Sequence, residues 1–224
     1  MTDRKALVVV GTGEWGLLAD QYFTHDSDYD VVAFAAEGDH LAGPEYAGRP
    51  AVALEELADR YPPATHHAFV AVSGTRVNAL RARLYAEVKR QGFHCATYVS
   101  SRALVWRNAV LGENCLVAEF TSVHPFATVG NDVFLHTGNV VGHRAVVDDH
   151  CFISSHVVVA AYCHVGAHAF LGLNVTLNDR TAVAERCVVT SGSVVANRLT
   201  MPDRVYHGSP ATAIEGLSSR DVQL

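Results

Sequence analysis

The sequence predicts two structural classes in one chain, an α/β domain first and an all-β prism after it. The prism is predicted by a six-residue period, because every sixth residue from Val105 to Val195 is valine, leucine or isoleucine. The α/β domain is predicted by apolar runs of strand length that alternate with amphipathic stretches over residues 4–100. We place the boundaries at 1–100 and 101–198, with a C-terminal extension at 199–224.

The six-residue period fits neither a helix nor a simple alternating strand. Four residues after each aliphatic position, up to Ser193, stands a small or β-branched residue, with Asn139 as the exception. Glycine often follows the aliphatic residue directly, as at Gly142, and it allows a tight bend there. The pattern indicates a triangular coil whose short strands each turn one aliphatic side chain inward. Stacked coils of this kind bury a continuous core.

The composition excludes several classes of protein. A hydrophobic fraction of 49% is enough for a core, and a net charge of −6 disfavours nucleic acid or an anionic membrane as the main partner. No apolar run approaches the roughly 18 residues that span a bilayer. The run Ala6–Val10 is too short for a signal peptide, so we expect a first strand and a cytoplasmic protein. The cysteines within the repeat occupy inward positions, and we expect them to be reduced core residues.

The first hundred residues predict a parallel, Rossmann-like sheet. Predicted strands cover Ala6–Val10, Val31–Ala36, Ala68–Val72 and Ala96–Val99. Between them we predict helices after Gly16, from Val52 to the prolines at 62 and 63, and over 76–91.

A glycine pattern, G-x-G-x-x-G, starts at Gly11 between the first strand and the first helix. Backbone amides can approach phosphates there, and the start of a helix favours anions. The pattern alone would suggest a dinucleotide, but no second domain brings hydride-transfer chemistry, so a nucleotide-linked substrate fits better. The alternative is that the glycines only make a tight turn. The candidate residues for this substrate are Gly11, Gly13, Glu14, Trp15, Glu37, Ser73 and Asn78.

Both halves together resemble the bacterial sugar-nucleotide acyltransferases, in particular the bacillosamine-pathway N-acetyltransferases and the sialic-acid O-acetyltransferase-like proteins. The resemblance covers about residues 5–213 and rests on residues 10–16, 135–143, 153–156 and 208–211. It implies a left-handed parallel β-helix and a homotrimer with active sites between subunits. It also implies that acetyl-CoA or another acyl-CoA lies along the β-helix and that the sugar's nucleotide lies on the glycine-rich loop. The role that it implies is in the biosynthesis of cell-surface glycans or related sugars.

The chemistry of this family needs one histidine as general base, because a sugar amine or hydroxyl must lose a proton while it attacks a thioester. The resemblance places His143 at the position of that base. Asn139, the polar exception in the repeat, lies four residues before it. His156 is a second candidate for an active-site role, and His136 aligns with a position that lines the acceptor site.

The residues around His143 depart from the bacillosamine enzymes, which carry acids beside the base. Here the neighbours are Gly142 and Arg144, so an orienting acid would come from Asp148, Asp149 or another subunit. This departure leaves N-acylation and O-acylation equally open.

Four further positions are candidates for the CoA side, mostly through their backbone: Gly172, Asn174, Gly192 and Pro210. We expect no metal, since no set of histidines and carboxylates stands out at zinc-ligand spacing. His150 and His168 share a column of the repeat with Asn114, Asp132 and Arg186, which we interpret as a solvated polar ladder on an outer face.

The sequence therefore predicts an acyl-CoA-dependent acyltransferase acting on the amino or hydroxyl group of a nucleotide-linked sugar. Three alternatives stay open. The first is a β-helix scaffold or binding protein without catalysis. The second is a β-helix acyltransferase with a non-nucleotide acceptor, and the third is a nicotinamide-binding protein.

Overall fold

The structure of the chain, a computed structural model, describes residues 4–222. Internal contacts divide it into two units. The first unit contains the residues up to Ser73 together with Arg81–Tyr98, and the second contains Gly74–Leu80 and the residues from Val99 onward. None of the helices in the described residues has the length and apolar character needed to cross a bilayer.

The first unit is built on a sheet of five strands. The strands are β1 (Lys5–Val10), β2 (Tyr29–Ala36), β3 (Glu45–Tyr46), β4 (Arg49–Ala53) and β5 (His66–Val70), in the spatial order β3-β4-β2-β1-β5. β1 pairs in parallel with β2 and β5, and residues 7–10 of β1 are buried from both faces. Phe23, Phe34 and Phe69 complete this core.

Helices α1 (Glu14–His25), α2 (Leu57–Arg60) and α3 (Ala79–Arg90) accompany this sheet, with 3-10 turns at Gly38–His40 and Leu54–Glu56. The helix predicted from Val52 is wrong in its start, because Val52 lies in β4 and pairs with Ala35 of β2. Only the single turn of α2 remains of it. A β-branched apolar residue such as Val52 packs well in a strand, and this pairing prevails over the helical pattern.

The prediction of a Rossmann-like N-terminal domain is wrong. Such a domain joins two βαβαβ halves in one open parallel sheet. Here the sheet ends in an antiparallel hairpin of β3 and β4, and helices are few. Most strands of the chain instead belong to repetitive parallel sheets. The predicted last strand of the domain also differs, since the strand near it is β6 (Tyr98–Val99), where the two units divide.

The second unit is a parallel β-helix of two-residue strands. In chain order these are β7 (Leu104–Val105), β8 (Val110–Leu111), β9 (Leu116–Val117), β10 (Ser122–Val123), β11 (Thr128–Val129), β12 (Phe134–Leu135), β13 (Val140–Val141), β14 (Val146–Val147), β15 (Phe152–Ile153), β16 (Val158–Val159), β17 (His164–Val165), β18 (Phe170–Leu171), β19 (Thr176–Leu177), β20 (Ala182–Val183), β21 (Val188–Val189) and β22 (Val194–Val195).

From β7 to β19, each strand of the β-helix pairs in parallel with the strand 18 residues further on, as Ser122 of β10 pairs with Val140 of β13. Three strands therefore complete one coil, and the strands align into three faces. The first face runs from β7 to β22, the second from β8 to β20, and the third passes through β9, β12, β15, β18 and β21. This repetitive strand pattern is typical of the left-handed β-helix.

The second residue of nearly every strand is the aliphatic one of the six-residue period, and it points into the core. From Val117 to Val195 these side chains are at most 1% exposed. The turns between faces place one residue per corner at positive φ, as at Arg144 and Tyr162. All five cysteines are free and buried, which confirms the expectation of reduced core residues.

The histidine column is not a solvated ladder, so that interpretation is wrong at its first members. Asn114 and Asp132 are fully buried. The amide of Asn114 donates to Asp132 Oδ1 at 2.8 Å, and His150 Nδ1 lies 2.8 Å from Asp132 Oδ2. His168 places its ring 4.8 Å from that of His150. Side chains at one corner of successive coils bury one another along the stack. The spacing of the residues in the sequence does not show this burial.

The C-terminal segment extends the third face beyond the repeat. Strand β23 (Arg204–His207) pairs in parallel with β21, and β24 (Thr212–Ser218) folds back antiparallel on β23. Asp203, directly before β23, accepts hydrogen bonds from the guanidinium groups of Arg186 and Arg220. These ion pairs tie the last coil to the end of the described chain.

Candidate functional site

His143 lies on the corner between β13 and β14, and it is exposed. Its ring meets the ring of Tyr162, which occupies the same corner one coil further on, edge to face with centroids 5.1 Å apart and planes at 78°. The backbone N–H of Tyr162 donates to the His143 carbonyl at 3.1 Å, so the two turns are in register. Among residues 4–222 the imidazole of His143 makes no hydrogen bond. Its nitrogens are therefore accessible to a substrate.

The acids considered as partners of His143 are engaged elsewhere. Asp148 Oδ2 lies 2.8 Å from Nε2 of His164, and Asp149 Oδ1 accepts the backbone N–H of Asn131 at 2.7 Å. Both acids lie at the next corner, after β14, where their side chains contact residues of the neighbouring coils. Neither carboxylate orients the base within this chain.

The other three catalytic candidates share the preceding corner, between β12 and β13. His136, Gly138 and Asn139 belong to one turn, and His156 belongs to the same turn one coil further on. The backbone N–H of His156 donates to the Thr137 carbonyl at 3.0 Å. His136 is half-buried, with its ring 5.0 Å from that of Phe152, whereas His156 is exposed. The structure therefore groups three candidates at one end of β13 and places His143 at the other end.

Gly138 is required by this arrangement. Its φ is +73°, and a Cβ atom on it would stand 2.6 Å from Nδ1 of His156. The imidazole of His156 therefore rests directly on the backbone of the preceding turn.

Asn139 is fully buried, and its amide is fully used by the backbone. Nδ2 donates to the carbonyls of His136 at 2.7 Å and Ile153 at 3.3 Å, while Oδ1 accepts the N–H of Val157 at 2.7 Å. The polar exception in the repeat thus ties two successive turns together. Its side chain does not reach the surface, so any effect on chemistry passes through the position of the turn.

The glycine-rich turn of the first unit is shaped by close packing. Gly11 has a φ of +137°, and a Cβ atom there would stand 2.3 Å from the Ala71 carbonyl oxygen. A Cβ atom on Gly16 would stand 2.1 Å from the Gly11 carbonyl oxygen. A Cβ atom on Gly13 would have nothing within 4 Å, and the Gly13 carbonyl accepts the Tyr46 hydroxyl at 3.3 Å. Gly13 is the N-cap of α1, next to exposed Glu14 and half-buried Trp15. The requirement for a tight turn therefore explains Gly11 and Gly16. Gly13 is the glycine of the pattern that remains accessible to a ligand.

Glu37 lies after β2, as expected, but its carboxylate is already bound. Both its oxygens accept from Arg83, at 2.7 and 2.8 Å. These hydrogen bonds hold the pKa of the Glu37 carboxyl below its usual value, against a smaller opposing effect of burial. The pair lines a cavity of about 370 Å³ together with Leu54, Glu55 and Glu87. A ribose at Glu37 would compete with Arg83 for the carboxylate.

Ser73 and Asn78 end up in different units. Ser73 is half-buried at the end of the first stretch of unit one. Asn78 is fully buried in unit two, where Nδ2 donates to the carbonyls of His168 at 3.1 Å and Ala169 at 3.3 Å. Arg76, Val77 and Asn78 all have positive φ, a costly conformation for residues other than glycine. The hydrogen bonds of Asn78 hold this segment against the β-helix, and its side chain does not reach the surface.

The expected CoA contacts follow the corner of Gly138 into later coils. The backbone N–H groups of Gly172, Asn174 and Gly192 donate to Val189, Ser155 and Leu173, respectively, at 2.8–3.1 Å. These N–H groups are therefore already hydrogen-bonded within the β-helix. The exposed side chain of Asn174 is what this corner offers a ligand, and Pro210 is exposed beyond β23. No group of three or more metal-ligating side chains is found over residues 4–222.

Sequence reasoning missed Tyr162 and Arg180. Arg180 stands one coil beyond Tyr162, and its guanidinium carbon lies 4.4 Å from the centre of that ring. Steps of one coil from Phe126 pass through Arg144, Tyr162 and Arg180, so the period that identified the core also contained this signal. The hydrophobic pattern identifies the inward positions of the period. It does not report contacts between outward side chains at one corner.

Comparison with solved structures finds this fold over nearly the whole chain. The acetyltransferase domain of PglB from Neisseria gonorrhoeae matches with a TM-score of 0.82 and 20% identity, covering 94% of this chain and 100% of that one. A variant of perosamine N-acetyltransferase from Caulobacter crescentus, solved with CoA and GDP-perosamine, matches with a TM-score of 0.83 and 22% identity, covering 93% and 96%. WeeI from Acinetobacter baumannii matches with a TM-score of 0.73 and 18% identity, covering 94% and 100%.

No protein-family model and no curated protein sequence matches the chain. At identities of 18–22% the structural likeness establishes the fold. The resemblance noted in the sequence is thereby confirmed at the level of the fold, and the matched structures include sugar acetyltransferases.

Proposed function

We propose that this protein transfers an acetyl or similar acyl group from coenzyme A to the amino or hydroxyl group of a nucleotide-linked sugar. The observation that carries the proposal is the common fold over more than 90% of both chains with sugar acetyltransferases. The structure of one of them contains CoA and GDP-perosamine, and the PglB domain has also been solved with acetyl coenzyme A.

His143 is the general base in this proposal. Its imidazole accepts the proton that the sugar amine or hydroxyl loses as it attacks the thioester carbonyl, forming the new C–N or C–O bond. The C–S bond then breaks, and the imidazolium returns the proton to the CoA sulfur. Exposure and the absence of a hydrogen bond to its imidazole within residues 4–222 support this role, since a base must reach its proton directly. A positioned base contributes about 10²–10⁴-fold to such a rate.

His156 and His136 are proposed to line the acceptor side of the site, at the corner that precedes β13. Gly13, Glu14 and Trp15 are proposed to meet the nucleotide at the start of α1, where backbone N–H groups favour phosphates. The side chain of Asn174 is proposed for the CoA side. Asn139 and Asn78 enter the proposal as residues that hold their segments in place, because their amides are bonded to backbone.

A homotrimer in the cytoplasm completes the proposal. Large apolar side chains on the β-helix are more than 40% exposed in the single chain, among them Leu104, Trp106 and Val110. Large apolar side chains exposed on more than one face of the β-helix support the proposal of subunit contacts. Five free, buried cysteines agree with a reducing compartment. Light scattering after size-exclusion chromatography measures the number of subunits directly, and a monomer would contradict this part of the proposal.

The experiment is a thiol-release assay with acetyl-CoA and a panel of amino and hydroxyl nucleotide sugars. The five protein cysteines are buried, so a thiol reagent reports mainly the released CoA. We expect turnover by the native protein, and a loss of about 100-fold or more in His143→Ala. His164→Ala serves as the matched control, because His164 is also an exposed histidine of the β-helix but is paired with Asp148.

Each outcome of this assay decides one part of the proposal. Unchanged turnover in His143→Ala would remove His143 from the role of base. Absence of turnover with every sugar would favour a binding or scaffold protein over an enzyme. Turnover with free sugars but with no nucleotide sugar would favour the non-nucleotide acceptor.

A further inference from the structure

One corner of the β-helix carries aromatic and cationic side chains in strict alternation. Phe126, Arg144, Tyr162 and Arg180 occupy equivalent positions in four successive coils, each at a φ between 57° and 64°. The guanidinium carbon of Arg144 lies 4.8 Å from the ring centre of Phe126, and that of Arg180 lies 4.4 Å from the ring centre of Tyr162. We call these four residues the cation–π column.

The geometry of the β-helix explains the contacts within the column. Coils stack at about 4.8 Å, and the same backbone turn at each corner sends successive side chains in one direction. A guanidinium then lies over the ring of the preceding coil, where an aromatic face attracts a cation. Neither Arg144 nor Arg180 makes an ion pair within residues 4–222, so in each case the ring is the contact that holds the guanidinium.

The side chain of His143 contacts this column through the ring of Tyr162. Its ring meets Tyr162 edge to face at 5.1 Å, and its imidazole has no hydrogen bond in the described part of the chain. The residues beside it in sequence, Gly142 and Arg144, supply no acid. Among the described residues, the ring of Tyr162 is therefore the aromatic group in contact with the imidazole.

We propose that Tyr162, held in place by Arg180, is a positioning residue that fixes the orientation of the His143 imidazole for proton transfer. The proposal rests on the proposed function, since it gives His143 the role of base. It assigns the orienting task to an aromatic ring where a carboxylate would otherwise stand. Because the contact involves the ring face and edge, the phenol hydroxyl of Tyr162 is not needed for it.

The first test separates the ring of Tyr162 from its hydroxyl. Tyr162→Phe keeps the ring, and we expect its kcat to stay within about twofold of the native value. Tyr162→Leu removes the ring, and we expect kcat to fall about tenfold, the rate equivalent of a good edge-to-face ring pair, with little change in either KM. Phe126→Leu is the matched control, because it removes another exposed ring of the column, which makes no ring contact with His143 among the described residues. We expect native kcat for that control.

The second test asks whether Arg180 acts through Tyr162. Arg180→Gln should lower kcat by about threefold, less than the loss of the ring itself. In the Tyr162→Leu background the same substitution should cause no further loss, because the guanidinium then has no ring to hold. Independent, multiplicative losses would overturn the role given to Arg180.

The third test measures the contact without activity. The imidazole Cε1 proton of His143, assigned with His143→Gln, should carry a ring-current shift that persists in Tyr162→Phe and disappears in Tyr162→Leu. Native kcat in Tyr162→Leu, or an unchanged proton shift in that variant, would overturn the proposal. If the native protein transfers no acyl group, the proposed function fails and the proton shift alone decides whether Tyr162 positions His143.

Discussion

The ring of His156 occupies the space that a Cβ atom on Gly138 would need. Gly138 lies at a φ of +73°, and the distance from that Cβ position to Nδ1 of His156 is 2.6 Å. The two residues belong to successive coils at the same corner, and the backbone N–H of His156 donates to the carbonyl before Gly138. A glycine in one turn thus determines where a histidine of the next turn can lie.

Gly138→Ala is expected to destabilise the protein by about 2–3 kcal/mol and to move His156. About 1–2 kcal/mol of this comes from the positive φ, and the rest from the displaced ring. Gly192→Ala is the matched control, because Gly192 stands at the same corner with the same φ of +73° but has nothing within 4 Å of its Cβ position. Urea unfolding of both variants measures the difference, and equal losses would contradict the contact with His156.

Asn139→Val is expected to destabilise the protein by about 2–3 kcal/mol, although valine occupies the equivalent position in the next coil at Val157. The substitution leaves the Val157 N–H and the His136 and Ile153 carbonyls without the amide that binds them. Thermal unfolding provides the measurement. Thr121→Val removes the hydroxyl that donates to the His136 carbonyl at 2.8 Å and accepts the Asn139 N–H at 3.3 Å, and it should cost less because the three contacts of the Asn139 amide remain. A stable Asn139→Val with lost activity would instead support a direct role of the amide in the chemistry.

Asn78→Ala should loosen the segment 74–80 by about 2 kcal/mol or more. It removes two hydrogen bonds to the β-helix from a fully buried side chain, and it leaves a non-glycine residue at a φ of +63°. Asn174→Ala is the control, since Asn174 is also at positive φ but is exposed. Faster hydrogen exchange of residues 74–80 in the first variant only is the expected result. A selective loss of nucleotide-sugar binding with native exchange would restore Asn78 to the substrate site.

Asp203→Asn is expected to destabilise the C-terminal strands above pH 4, and the difference from the native protein should vanish near pH 2. The hydrogen bonds from Arg186 and Arg220 lower the pKa of Asp203 from 3.8 to about 2. Because the folded pKa is depressed, the stabilisation is present above the unfolded pKa and is lost as the pH falls through the folded one. We expect about 1 kcal/mol, since solvent screens a partly exposed pair.

Glu87→Gln is the matched control for Asp203→Asn in the same pH titration. The pKa of Glu87 is also lowered to about 2, by hydrogen bonds from Arg90 and Gln91. These partners lie on or directly after the same helix, so the contact joins no distant segments, and we expect a loss of the same sign over the same pH range but smaller than for Asp203→Asn. Equal effects of the two substitutions would show that the ties to Arg186 and Arg220 add nothing specific.

The six-residue period was enough to predict the β-helix, its inward side chains and its buried cysteines. Every coil repeats the same local rule, and a pattern that recurs from Val105 to Val195 leaves one packing solution. The first hundred residues carry no such repetition. Alternating apolar runs there predicted strands β1, β2 and β5 near their true places, but not the β3–β4 hairpin or the shortened helix after Val52. The strand β4, which replaces the start of the predicted helix, depends on its pairing with β2 earlier in the chain.

The candidate site divides in the same way. The sequence by itself determined the coil, the corner on which His143 stands and the break in the period at Asn139. Only the tertiary structure decided that the Asn139 amide is bonded to backbone, that Arg83 already holds Glu37, and that Tyr162 is the ring against His143. The physical reason is that periodicity reports which way a side chain points. Its contacts are set by the residues one coil above and below, and their side chains follow no period.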